Sequence, residues 1–192
     1  MGVPDLLVLD VHGVVLSNPL PAFLDRVADL TGQDRDRVRA RWRGELRLPA
    51  WTGGIGDRDL WRRLTGERHP SRDWRALLEE SYEPGPVARF LEEWRARTPI
   101  WLLSNHRSHW LEPRLRRFGL EGLFDRVLVS DRIGHAKPDP AAFAPLVRAA
   151  RTPASVLFLD DRERNVLAAR ALGLCAVQVA PGTEWQEAAA GS

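Results

Sequence analysis

The stretch VLFLDDRERNVLAARALG, residues 156–173, decides the fold. Four apolar, β-type residues, Val156–Leu159, run into two acids, Asp160 and Asp161, and a helical pattern over Arg164–Leu172 follows, closed by Gly173. A run that is apolar throughout, instead of alternating, predicts a strand covered on both faces, the usual condition of a parallel strand. Gly173 supplies a C-terminal stop for the helix. The same reading carried outward finds strand-like runs at Leu6–Leu9, Ile100–Leu103, Arg126–Val129 and Ala176–Val179. Helical patterns lie between them at Pro86–Arg97, His109–Phe118 and Pro140–Ala150. Alternation of this kind predicts an α/β fold, a doubly wound parallel sheet.

One region breaks the alternation. From Leu20 to Tyr82 there is no strand-like run, and the composition shifts to Arg, Asp, Leu and Trp. Segments Pro21–Thr31, Asp34–Arg47, Asp57–Thr65 and Ser71–Ser81 read as short helices, with the turn-rich WTGGIGD, Trp51–Asp57, dividing them. The expected organisation is a core of residues 1–19 and 83–192 carrying a small helical cap, residues 20–82, inserted after the first strand. The tail after Gly182 is expected to fray.

Composition sets the class. The chain has 192 residues, 44% apolar and 28% charged, with a formal net charge of +2, which is ordinary for a globular domain. No dense cationic run is interleaved with aromatics, so no nucleic-acid partner is expected. Arg62-Arg63 and Arg116-Arg117 sit among acidic and apolar neighbours and read as solvated helix faces. The one cysteine, Cys175, falls in the apolar GLCAVQV and reads as a small core residue; a chain without an internal disulfide suits a reducing compartment. The N-terminus enters LLVLDVHGVVL almost at once, too short for a membrane span and without a signal peptide's basic start. A cytoplasmic protein is expected, with no membrane partner and with an oligomeric state that this reading leaves open.

In open parallel sheets ligands bind beyond the carboxyl ends of the strands. The residues found there are Asp10 after the first run, Ser104-Asn105 after the second and Asp160-Asp161 after the fourth. GHAKPDPAAF, residues 134–143, follows the third and holds Lys137, the single lysine among 28 basic residues. Carboxylates from separate strands can hold Mg²⁺, a hard cation that keeps several waters and a phosphate oxygen. A serine and a compact ammonium beside it suit the remaining phosphate oxygens, and guanidinium is a poor substitute for that ammonium.

These four motifs, LLVLDVHGVVL, IWLLSN, GHAKPDPAAF and VLFLDDRERNVLAARALG, resemble the ordered motifs of the haloacid dehalogenase-like superfamily. LSNHRSH, FLDDRERN and GGIGDRDLW are similar to the subgroup containing the epoxide hydrolase N-terminal phosphatase domain and the glucose-1-phosphate phosphatases. The resemblance implies a Rossmann-like core with a helical cap and a Mg²⁺-dependent phosphatase acting on a small phosphorylated metabolite such as a sugar phosphate. It makes Asp10 the nucleophile that takes the phosphoryl group, with Ser104 and Lys137 orienting the phosphoryl oxygens and Asn105 beside them. Asp10, Asp161 and the backbone carbonyl of His12 would ligate the metal, with Asp160 in support.

His12 departs from the family pattern, which has a second aspartate there as acid and base. Its imidazole has an unperturbed pKa of about 6.5 and suits both jobs; alternatively only its carbonyl matters. His106 and His109 are expected at the surface or at a helix start. Of Trp42, Trp51 and Trp61, two are expected to pack the cap and Trp51 to wall the substrate pocket. Two other readings share the motifs. A dehalogenase would turn Asp10 on carbon, but such enzymes typically lack the paired acids of the last motif. A silent homologue binding a phosphorylated ligand or a protein partner has His12 in its favour and Lys137 against it.

Overall fold

The computed structural model describes residues 4–67, 72–181, 183 and 185–190. Five parallel strands form one sheet in the order β3-β2-β1-β4-β5: β1 Leu6–Leu9, β2 Ile100–Ser104, β3 Arg126–Val129, β4 Val156–Asp160 and β5 Cys175–Gln178. Every pairing is parallel. Strands β1, β2 and β4 are buried along their whole length, as an apolar run covered by helices on both sides requires. Edge strand β3 is more open: Arg126 is exposed and its guanidinium lies over the Trp101 ring, 4.6 Å from the centroid.

Chain order fixes the ligand crevice. From β1 the chain moves outward to β2 and β3, then returns to the other side of β1 to lay down β4 and β5. The connections therefore diverge between β1 and β4, and a crevice opens at their carboxyl ends.

Between β1 and Tyr82 the described residues form five α-helices, α1 Leu20–Thr31, α2 Arg35–Arg41, α3 Arg47–Trp51, α4 Asp57–Thr65 and α5 Trp74–Glu79. Helix α2 passes into α3 through a π-helical turn, Trp42–Leu46, so the expected helix at Asp34–Arg47 runs on to Trp51. Asp34 and Asp73 cap α2 and α5 through their carboxylates. Ser71, where the last of these helices was expected to start, lies outside the described residues. The outgoing and returning chains are laced together: Gly85 N–H donates to Val15 O at 2.8 Å and Val87 N–H to Val14 O at 3.1 Å. A Cβ at Gly85 would come 2.3 Å from Val14 O, so no larger residue fits this crossing.

The core helices are α6 Leu91–Arg95, α7 Ser108–Arg117, α8 Ser130–Ile133, α9 Pro140–Ala149, α10 Glu163–Ala171 and α11 Trp185–Ala190. Helix α6, preceded by a 3₁₀ turn at Ala88–Phe90, is shorter than the Pro86–Arg97 pattern suggested. The expected fraying after Gly182 falls partly outside the described residues; within them, Trp185 is buried and packs edge-on against Phe90 and Trp94. One large aromatic anchor is enough to order the short terminal helix. Cys175 is half-buried in β5. Among the described residues no helix is long and apolar enough to cross a membrane.

Candidate active site

Each expected strand-end residue reaches the β1/β4 crevice. Asp10 N–H donates to Leu159 O of β4 at 2.9 Å, and its buried carboxylate lies 2.9 Å from Lys137 Nζ. Lys137 Nζ also meets Asp160 Oδ2 at 2.7 Å and donates to Leu103 O at 2.6 Å. One buried ammonium thus ties together the ends of β1, β2 and β4. Burial disfavours its charge, but Asp10 and Asp160 more than offset this and raise its pKa.

The lysine is itself positioned. Asn105, expected to face substrate, lines the cavity but spends its amide on the lysine backbone. Its Nδ2 donates to Lys137 O at 2.7 Å, and Lys137 N–H donates to its Oδ1 at 2.7 Å. The Lys137-Pro138 peptide bond is cis.

Asp10, Asp160 and Asp161 each offer a carboxylate oxygen within 4.8 Å of the others. They differ in how far they are satisfied. Asp160 accepts from Lys137, from Asn165 Nδ2 at 2.9 and 3.0 Å, and from Arg162 N–H at 2.9 Å. Asp161 Oδ1 is buried without a hydrogen-bond partner. Burial, with Asp10 and Asp160 adding repulsion, pushes the Asp161 carboxyl up to about 7. A desolvated carboxylate with an idle oxygen, facing two more acids, fits a hard divalent cation. Gly13 makes room for it: a Cβ there would come 2.7 Å from Asp161 Oδ2, and its φ of +78° favours glycine.

Ser104 ends β2 with no exposed surface, and its Oγ likewise has no partner. Buried hydroxyls are ordinarily paired, so this orphan, one residue past the Leu103 carbonyl that accepts from Lys137 Nζ, has hydrogen-bonding capacity left for a ligand atom.

The His12 side chain takes part in a different cluster. Its Nε2 lies 3.0 Å from Tyr82 Oη and 3.3 Å from Arg114 Nη1. Arg114, fully buried on α7, grips the Glu79 carboxylate of α5 through Nε at 2.9 Å and Nη2, and donates to His106 Nε2 at 2.7 Å. Its guanidinium stacks on Tyr82, 3.6 Å from the ring centroid. A guanidinium only donates, so the facing Nε2 atoms accept; His106 Nδ1 in turn meets Arg107 N–H at 2.7 Å and Arg107 O at 2.9 Å. Burial, then the Arg114 charge, holds the His12 pKa well below 6.5; burial, then the neighbouring His12 and Arg114, does the same to His106. Burial raises Tyr82 to about 12.

His106 therefore corrects the expectation of a surface role: it is fully buried, because Arg114 and the Trp51 ring, stacked 5.4 Å away, enclose it. His109 is half-exposed and pairs with Asp57 at 3.0 Å. Arg107 Nε at 3.2 Å and Trp110 Nε1 at 2.8 Å converge on the same carboxylate, which begins α4. Ser130 Oγ donates to Trp51 O while accepting from His106 N–H at 3.0 Å. Trp42 packs edge-on to Trp51 at 5.3 Å, and Trp61 stacks on Trp110 at 5.3 Å.

A cavity of about 480 Å³ opens over Lys137 and Asn105 and is walled by Trp51. Sequence reasoning missed Arg114, Glu79, Tyr82 and Asp57. For Arg114 there was a signal: it falls on the helical stripe Trp110, Leu111, Arg114, Leu115, three of whose members are apolar.

The model for haloacid dehalogenase-like hydrolases matches residues 5–173. The chain is 32% identical over 106 residues to the fructose-1-phosphate phosphatase YqaB of Escherichia coli, a match covering 55% of this chain and 56% of that one. A 29% identical match to phosphatase MT3486 of Mycobacterium tuberculosis covers 90% and 86%. The chain thus spans little more than half the length of the first of these relatives. In fold it is similar to the Bacteroides thetaiotaomicron enzyme BT-2542, whose structure holds magnesium and inorganic phosphate (TM-score 0.79, 21% identity, 97% and 99% covered). It is also similar to the L-2-haloacid dehalogenase of Xanthobacter autotrophicus (TM-score 0.68, 22% identity, 96% and 81% covered), so the fold is common to both chemistries. The motifs, the crevice residues and the family match over most of the chain agree: this protein belongs to the haloacid dehalogenase-like hydrolases.

Proposed function

We propose that the chain is a Mg²⁺-dependent phosphatase that hydrolyses a small phosphomonoester through an aspartyl phosphate on Asp10. One observation carries the reading. Two buried polar atoms at the strand ends that carry the Asp10–Lys137 ion pair, Ser104 Oγ after β2 and Asp161 Oδ1 after β4, have no hydrogen-bond partner. The orphan hydroxyl and the ammonium suit the oxygens of a phosphoryl group, and the orphan carboxylate oxygen suits the cation.

An Asp10 carboxylate oxygen attacks phosphorus; the bond from phosphorus to the substrate oxygen breaks, and the leaving alkoxide takes a proton from solvent water, which the attacking water of the next step returns. Water then attacks the aspartyl phosphate, releasing inorganic phosphate and restoring the carboxylate. Lys137, 2.9 Å from Asp10, meets with Ser104 the charge spreading over the equatorial oxygens, where positioning and electrostatics supply most of the rate. Mg²⁺ held by Asp10, Asp161 and the His12 carbonyl, with Asp160 in support, would neutralise charge on the phosphoryl oxygens. The imidazole of His12, neutral and tied to Tyr82 and Arg114, favours the carbonyl as that residue's contribution. Residues 20–82 act as the cap and place Trp51 against the substrate. Sugar phosphates are within the size of the cavity.

The paired acids and retained lysine oppose both the dehalogenase and the silent homologue. Acid-quench labelling tests the reading: wild type with Mg²⁺ and a phosphomonoester panel should yield a hydroxylamine-sensitive phosphoprotein, and Asp10→Asn should not. Turnover unaffected in Asp10→Asn would overturn it.

A further inference from the structure

Beside Lys137, whose ammonium reaches Asp10 at 2.9 Å, the cavity gathers a second concentration of positive charge. Its walls include Arg47 from α3 and Arg162 and Arg164 from the start of α10, facing Trp51, Asn105 and Lys137. Helical cap and sheet core each contribute to this group, so it exists only in the folded chain. Arg47 is half-buried, Arg162 is half-buried and Arg164 is exposed.

The charges are poorly balanced. Among the described residues Arg47 and Arg164 have no carboxylate partner, whereas other arginines of the helical segment are paired, Arg35 with Asp29 and Arg39 with Asp25. Arg162 reaches a carboxylate only at 3.8 Å, and that is Asp161 of the proposed metal site. Asp139 also lines the cavity, but it is taken by His135 at 2.9 Å and by the Ala141 N–H at 2.9 Å. Partial burial, then repulsion from Arg164, Arg162 and Arg43, depresses Arg47. Gathering like charges around a concave surface raises the free energy of the empty protein, and an anion in the cavity reverses that cost.

We propose that Arg47, Arg162 and Arg164 form a subsite for a second anionic group on the substrate, a carboxylate or a second phosphate, lying beyond the phosphoryl group that reacts at Asp10. The proposal rests on the phosphatase reading and narrows it. Guanidinium groups suit this task because they present fixed forks to carboxylate and phosphate, while the single lysine is reserved for the reacting end. The cavity, about 480 Å³, has room for the second anion and a short carbon chain, with the phosphoryl group lying on the far side of Lys137 toward Asp10. Leu48, an exposed apolar residue on the rim, and Trp51 leave room for a short carbon chain between the two anions.

Three propyl compounds test it: propyl phosphate, 3-(phosphonooxy)propanoate and propane-1,3-diyl bisphosphate. In wild type, kcat/KM should be about 10–100-fold higher for at least one dianionic compound than for propyl phosphate, the gain expected of a charge-assisted contact. The ratio should shrink in Arg47→Gln and Arg164→Gln, survive in part in Arg47→Lys, and fall as salt rises. Which compound gains tells carboxylate from phosphate. The same three compounds are then titrated calorimetrically into Asp10→Asn, where binding is read without turnover. Tighter binding of a dianionic compound, weakened by adding Arg47→Gln, supports the subsite even if no compound is turned over, in which case only the phosphatase reading falls. Equal binding of all three overturns the subsite, whatever the turnover.

Discussion

Two clusters of buried charge lie side by side at the carboxyl edge of the sheet, and they are completed differently. In the first, Asp10, Asp160, Asp161 and Lys137 crowd together, with Asp161 Oδ1 and Ser104 Oγ left without partners. In the second, Arg114 is gripped by Glu79, donates to His106 and His12, and lies on Tyr82. Burial alone does not distinguish them, for Arg114 is as deep as any catalytic candidate. Satisfaction does. A polar cluster that meets its own hydrogen-bonding capacity stabilises one arrangement of helices, here α5 against α7; one that does not is waiting for a ligand. The imidazole of His12 belongs to the second, and under the proposed function its carbonyl would serve the first.

The comparison can be broken most directly at Lys137. Lys137→Arg and Lys137→Met should each lower kcat by about 10³-fold, the scale of losing a preorganised charge contact, while far-ultraviolet circular dichroism stays native. An arginine variant that keeps more than about a tenth of wild-type turnover, a loss below roughly 1.4 kcal/mol, would show that the compact ammonium is not what the site requires.

The second cluster should respond in stability. Arg114→Met leaves the Glu79 carboxylate without its partner and should cost about 3 kcal/mol in urea unfolding. Arg114→Met combined with Glu79→Leu should recover part of this. Recovery of nothing would mean that the guanidinium acts through the histidines instead.

A third experiment sharpens the contrast through pH. Asp161 has its folded pKa raised to about 7 from 3.8, so the folded metal-free protein binds the proton more tightly than the unfolded chain. The associated stability is present below pH 4 and lost as pH rises through about 7. Asp161→Asn should therefore raise the Tm of metal-free protein at pH 8 and change it less at pH 5.5. In wild type Mg²⁺ competes with that proton, so its affinity should fall by up to about tenfold per pH unit below 7. Calorimetric titration showing pH-independent binding between pH 5.5 and 8 would separate Asp161 from the metal.

The smallest effect is assigned to His12. His12→Ala should lose less than about tenfold in kcat, well short of the 10²–10⁴ of a proton-transfer group, while losing about 1 kcal/mol of stability with its contacts. A larger loss for alkyl than for aryl phosphates would instead restore the imidazole to the chemistry.

Much of this was legible beforehand, and the elements show why. Strands β1 and β3 fall where their apolar runs do, Leu6–Leu9 and Arg126–Val129, and α4 runs over Asp57–Thr65 as its pattern implies. Periodicity and end signals are local properties, readable along the chain. Asp10, Ser104 and the Asp160-Asp161 pair were legible because parallel topology delivers strand ends to one edge. Lys137 was legible because it is alone. What could not be read is whatever depends on two distant segments meeting. His106 is an ordinary loop histidine in sequence and becomes a buried acceptor only because Trp51 and Arg114 close over it. Trp185 orders the tail only because Phe90 and Trp94 receive it. Arg47 and Arg164 are unremarkable helix arginines until α3 and α10 face the same cavity. Spacing along one chain reports which residues share a strand end or a helix face; which charges find partners across the fold, and which are left for a ligand, is decided only when the helical segment packs onto the sheet.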